Sequence, residues 1–208
     1  MAERPARRYA EVMRRVIHIP ILHTAADLGS LAESVRAEYA GALGPGGWSR
    51  HQEAVEQLWK AIRARIEALG LNYARTRIYQ DGLPVCGFER RIVEELAKAG
   101  SSNHQFVLDL IEEGATLEGT EDPQLLLQEY QLQQRQAQPR AARRGNPSGA
   151  DAEALALVQA RDRFIAERIE KTLQEGETGL VFLGAAHRLD GLRQSGIRVE
   201  SVSGPAVK

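Results

Sequence analysis

Apolar residues along this chain fall into two alternating patterns, short unbroken runs and helical spacing. Val16-Ile-His-Ile-Pro-Ile-Leu22 is almost continuously apolar and rich in β-branched residues, the pattern of a strand covered on both faces, as in parallel sheets. Pro20 lacks the N–H a ladder needs and predicts a sheet edge or a strand end. Ser49 and Gln52 resemble a capping box, and Val55, Leu58, Trp59, Ile62, Ile66 and Leu69 then recur at helical spacing until Gly70. Tyr73 to Tyr79 reads as a second strand entering the turn Gln80-Asp81-Gly82-Leu83-Pro84, and Phe88 to Ala99 as a helix stopped by Gly100.

Ser101 to Glu113 predicts another helix and Ala115 to Glu118 a short strand, after which Asp122-Pro123 supplies a cap and a first-turn proline before Leu125. From Gln131 to Gly149 the chain turns to Gln, Arg, Ala, Pro and Gly without an apolar face, which predicts a flexible linker or loop over 131–149. Ala152 to Glu175 reads as a long helix with an apolar stripe of Leu155, Val158, Ile165, Ile169 and Leu173. Gly179-Leu-Val-Phe-Leu183 is a buried-type strand, followed by the turn Gly184-Ala-Ala-His187, a short helix and a last strand near Ile197 to Val202. Strands alternating with helices give an α/β fold with a mixed, mostly parallel sheet of about five strands. We read residues 1–208 as one such domain, with a basic N-terminal segment over 1–14.

Composition narrows the function classes. With 27 basic and 28 acidic residues the net charge is −1, so no global field draws the chain to nucleic acid or an anionic membrane. The arginines at 135, 140, 143 and 144 have no interleaved aromatic residues for base stacking, and a solvated loop is the better reading of them than a docking segment. No apolar stretch approaches the roughly 20 residues that span a bilayer, and no cleavage site follows the basic N-terminal residues. A single cysteine, Cys86, excludes an intrachain disulfide and a thiolate zinc knuckle and fits a reducing, cytoplasmic setting. Phosphate-binding glycine signatures are missing, so no nucleotide cofactor is expected.

In open α/β sheets, ligands collect beyond the carboxyl ends of the strands. His23 and Asp27 follow the first strand, Asp81 the second, Glu121 and Asp122 the third, and His187 the fourth. Imidazoles and carboxylates on one rim suit a divalent metal or a general acid/base pair. Gly184 lets backbone approach a ligand while His187 points into the crevice. His23 continues the alternation of Ile17, Ile19 and Ile21 and reads as a site residue or, second, as a hydrogen-bonded core histidine, whereas His18, inside the apolar strand, reads as structural. On the long helix, Asp162 falls within the apolar stripe and Arg161 at its margin. Charges there are costly unless paired, which predicts an Arg161–carboxylate pair, either facing the crevice or tying helix to sheet as a structural salt bridge.

The segments Arg161-Asp-Arg-Phe-Ile-Ala-Glu-Arg-Ile169 and Leu180-Val-Phe-Leu-Gly-Ala-Ala-His-Arg188 resemble the closing part of the TraB/Tiki superfamily, with its erythromycin-esterase-like and ChaN-like relatives. Members of that superfamily share two GxxH motifs, a glutamate and an arginine on an α/β core. Gly184 to His187 matches the second motif and Arg161 the arginine. Pro20-Ile-Leu-His23 corresponds to the first motif, with proline in the glycine position, and Asp81 or Glu121 stands for the glutamate. The resemblance implies a hydrolase of an ester or amide bond in a small-molecule or peptide substrate. His23 and His187 would act as base and acid, or bind a divalent metal with Glu121, while Arg161 steadies an oxyanion and Gly184, Asp81 and Asp162 contact substrate. The alternative is a non-catalytic ligand-binding or regulatory protein using the same crevice.

Overall fold

A computed structural model describes residues 13–21, 47–137 and 147–202, and elements are numbered within them. Strands β1 (Arg15–Ile21), β2 (Thr76–Gln80), β3 (Thr116–Glu118), β4 (Thr178–Gly184) and β5 (Arg198–Ser201) pair in parallel throughout, in the order β3-β2-β4-β1-β5. The α/β class expected from the alternation is the one observed. Pro20 sits not on an edge but in an interior strand, at its end: β5 pairs with β1 only as far as His18, so the missing N–H falls where the ladder is finishing.

Chain direction across the sheet decides which face each helix covers. The steps from β1 to β2 and from β2 to β3 run one way, and those from β3 to β4 and from β4 to β5 run back. Right-handed crossovers then place the connections on opposite faces. On the first face, Ile17, Ile19, Ile78 and Phe182 pack against α1 (Gly47–Glu67), Val93 of α2 (Glu89–Lys98) and Phe106, Val107 and Leu110 of α3 (Ser102–Glu112). On the second, Val16, Tyr79, Val181 and Leu183 meet Ile165, Ile169 and Leu173 of α5 (Pro147–Thr172), together with Leu189 and Leu192. The period-two alternation of each strand thus fills two cores, at about 1.5–3 kcal/mol for each large apolar side chain fully buried.

Helix ends follow local chemistry. Ser101 Oγ accepts the N–H of His104 to cap α3, and Asp122 Oδ1 accepts the N–H groups of Gln124 and Leu125 at the start of α4 (Pro123–Ala137). The segment expected to be a linker over 131–149 is corrected at both ends: α4 runs to Ala137 and α5 starts at Pro147. Gln, Leu and Arg are good helix formers, and Leu132 is buried. Arg135 pairs with Glu153 across the two helices, while residues 138–146, with the other arginines of that run, lie outside the described residues. Leu155 is exposed, so the buried stripe of α5 begins later, at Arg161, and continues every fourth residue through Ile165, Ile169 and Leu173. No helix among the described residues is long and apolar enough to cross a membrane.

At the amino ends of the strands, Arg77 reaches Glu177 (Nε to Oε2 2.6 Å) and also Glu118. Burial pushes the Glu177 carboxyl up, but the Arg77 hydrogen bond and the Gln174 N–H outweigh it and hold the group below its ordinary 4.5. Glu89 is likewise pushed up by burial yet held low by the N–H groups of Gly87 and Cys86. Both carboxylates bind protons less tightly when folded, so their stabilising contribution is present above pH 4.5 and lost as pH falls through the folded values. The melting temperature is expected to decline below that pH, less steeply for Glu177→Gln. An unchanged slope in the variant would remove Glu177 as a cause.

Candidate functional site

Asp81, Glu121 and His187 stand on the turns that leave β2, β3 and β4 at their carboxyl ends. Asp81 continues the ladder one residue beyond β2, its N–H donating to Phe182 O at 2.8 Å. Strand alternation therefore turns its side chain to the same face as Tyr79, the face covered by α5. The chain then reverses through Gly82, whose φ of 72° is the left-handed region that glycine adopts without strain. That turn aims the Gly82 N–H at Glu121 Oε1, 2.7 Å away.

Glu121 is fixed by a second turn laced to the first. The N–H groups of Thr120 and Glu121 both donate to Leu83 O, and the Val85 N–H donates to Glu121 O. Gly119 makes this approach possible, because a Cβ there would stand 2.8 Å from Val85 Cα and 2.8 Å from Glu89 Oε1. After β4, the His187 N–H closes on Gly184 O at 3.0 Å, folding the turn tightly. Gly184 was expected to bring backbone to a ligand; instead its N–H donates to Asp81 Oδ2 at 2.7 Å and aligns that carboxylate.

Helix α5 supplies the rest from above. Arg161 Nε donates to Glu121 Oε2, Nη2 donates to Glu121 Oε1 at 2.6 Å and to Asp81 Oδ1 at 2.8 Å, and Nη1 donates to Glu129 Oε2 at 2.6 Å. The expected pairing of Arg161 with a carboxylate is present, at the centre of the buried stripe rather than at its margin. Four of the five guanidinium N–H bonds are committed to carboxylates, which makes Arg161 a positioning residue rather than an oxyanion donor. Asp162, one residue on, accepts from His187 Nδ1 at 2.6 Å and from the Arg188 N–H at 3.1 Å. It was expected against substrate; here it orients the imidazole.

The ligand atoms of Asp81, Glu121 and His187 lie within 4.8 Å of one another, and all three residues are buried. An ionised carboxylate only accepts hydrogen bonds, so the bond to Asp162 puts a proton on His187 Nδ1 and leaves Nε2 as the ring atom turned toward Asp81 Oδ1, 3.7 Å away. Three carboxylates (Asp81, Glu121 and Glu129) surround the single Arg161 guanidinium, and a fourth, Asp162, backs His187. Burial raises the Glu121 carboxyl above its ordinary range against the pull of Arg161, and Asp81 adds to the rise. Burial alone would lower Arg161, but Glu121, Asp81 and Glu129 hold it well above its usual value and it stays charged. Two carboxylates and an imidazole are a donor set for zinc, manganese or a similar divalent ion.

His23, expected beside His187, lies outside the described residues, as does Asp27. Two neighbours escape the sequence patterns. Glu129 lies in a Gln-rich polar run with no signal of its role. His18 is half-buried on β1, held below its ordinary value by burial and then by His187; only its place in the alternation, between Val16 and Pro20, could have put it on the site's face. A cleft of about 440 Å³ opens beside Asp162, with Arg163, Glu167, Arg188 and Asp190 among its walls. Comparison with protein-family models, with curated proteins and with solved structures finds no match to this chain.

Proposed function

We propose that this chain is a hydrolase of an ester or amide bond that uses a divalent cation held by Asp81, Glu121 and His187. The observation that carries the reading is the convergence of Asp81, Glu121 and His187 in one buried cluster, with His187 Nε2 3.7 Å from Asp81 Oδ1. A cation between these atoms would use all three as ligands, and a carboxylate behind the imidazole, as Asp162 is here, is the usual support of a metal-binding histidine. The surplus of carboxylates over guanidinium asks for the same cation.

A bound divalent ion would lower the pKa of a water toward 7 and polarise the substrate carbonyl. The chain's own residues do the rest. Asp162 keeps the proton on Nδ1, Arg161 holds the Asp81 and Glu121 carboxylates in place, and the Gly82 and Gly184 N–H groups fix Glu121 Oε1 and Asp81 Oδ2. The substrate class remains a small molecule or peptide, in a cytoplasmic setting that the free thiol of Cys86 fits.

The test is hydrolysis of a panel of p-nitrophenyl esters and aminoacyl p-nitroanilides by the full chain, after chelation and after reloading with zinc or manganese. We expect turnover that chelation removes and metal restores, and that Asp162→Asn lowers about 10–100-fold. Metal binding without turnover of any ester or anilide would favour a ligand-binding protein; turnover indifferent to chelation would replace the metal by acid/base chemistry.

A further inference from the structure

The other histidine on this face has no explained role. His18 stands beside Val181 of β4 on one side and Ser201 of β5 on the other. Strand alternation places it with Val16, on the face covered by α5, where Arg161 and Asp162 come down and the turn after Gly184 folds His187 back. Apolar Val16 on its own strand and Val181 beside it line the same face. At residue 18 an imidazole stands, its Nε2 buried and without a hydrogen-bond partner. A buried polar atom left unbonded costs about 1–3 kcal/mol, and on the face of the site a bound ligand is a partner that would remove that cost.

His18 does not belong to the proposed ligand set. Asp81, Glu121 and His187 alone, among the described residues, bring ligand atoms within 4.8 Å of one another. Yet His18 lies near enough to His187 for the two imidazoles to interact electrostatically. A neutral imidazole carries one N–H, and such a donor bonds a carbonyl oxygen without adding charge to the site.

We propose that His18 is a substrate-binding residue of this site, its Nε2 donating a hydrogen bond to the carbonyl oxygen of the ester or amide next to His187. The inference deepens the hydrolase reading and rests on it. It assigns His18 a task separate from metal ligation, and the two tasks respond differently to substitution.

The experiment uses the full chain loaded with Zn²⁺ and acetohydroxamate as a probe, a small carbonyl compound that binds metal. His18→Leu is expected to weaken acetohydroxamate about 5–10-fold, the worth of one hydrogen bond, while leaving Zn²⁺ affinity within about twofold, well inside that effect. His18→Gln, whose amide N–H reaches a similar place, should recover most of the loss. In ¹⁵N-labelled wild type the Nε2 resonance of His18 should shift when the probe binds, a readout that stands even where His18→Leu fails to fold. Unchanged probe affinity in a folded His18→Leu, or an unmoved Nε2 resonance, overturns the proposal. Zn²⁺ affinity falling as far as in His187→Ala overturns it too, by making His18 a ligand. A wild-type chain that takes up no Zn²⁺ fails the metal reading first, and this inference with it.

Discussion

His187→Ala is expected to remove the proposed divalent-metal binding, with a loss of at least about 100-fold in zinc affinity, whereas Asp162→Asn is expected to weaken it by about 10–100-fold. The difference follows from where each atom lies. His187 supplies Nε2 to the cluster itself, while Asp162 touches only Nδ1 on the far side of the ring. Removing the ligand deletes a bond to the ion; neutralising the carboxylate behind it weakens the ring's basicity and frees its orientation. Glu121→Gln should resemble His187→Ala, because both Glu121 oxygens are fixed in the cluster by Gly82 and Arg161 and an amide nitrogen has no lone pair for a cation. Calorimetric titration of the chelated chain with Zn²⁺ reads all three variants. If Asp162→Asn binds no worse than wild type, the imidazole is not oriented for metal; if His187→Ala binds as tightly, the site is elsewhere.

Much of this arrangement was legible in the amino-acid order because it rests on short-range rules. The continuous apolar runs at Val16 and Gly179 marked strands covered on both faces, and Asp81, Glu121 and His187 each follow a strand directly, so the rule that polar groups gather beyond strand ends pointed to all three. What stayed hidden depends on rotation and on distance in the chain. Residues 161 and 162 differ by about 100° around α5, and the register that decides which one faces the core is set by packing of Ile165, Ile169 and Leu173 against the sheet. An apolar stripe started at Leu155 gives the wrong phase, since Leu155 lies outside the core. Glu129 could not be found because its partner is 32 residues away on another helix. His18 looked structural for a related reason. A polar residue inside a strand shows its purpose only when the face it shares is known, and that face is set by β4 and α5.

Arg161→Met costs about 3–5 kcal/mol of stability, the range found when one partner of a buried ion pair is removed. For a chain of this length that lowers the melting temperature by roughly 6–20 °C. Methionine matches much of the volume, so packing changes little; the loss comes from Asp81 and Glu121, which stay buried without their counter-charge. Arg161→Lys recovers only part, since an ammonium cannot bond both Glu121 oxygens and reach Asp81 and Glu129 together. Two conditions should restore the methionine variant. Lowering pH helps, because carboxylates stripped of the guanidinium bind protons more tightly folded than unfolded, so stability rises as pH falls from their raised folded values toward the ordinary range. Adding a divalent cation helps as well, and raises the variant's melting temperature more than the wild type's, because the ion supplies the charge Arg161 no longer provides. A loss under about 1 kcal/mol, the worth of an exposed pair, would mean that the cluster is open to water. An equal metal response in variant and wild type would mean that guanidinium and cation do not share these carboxylates.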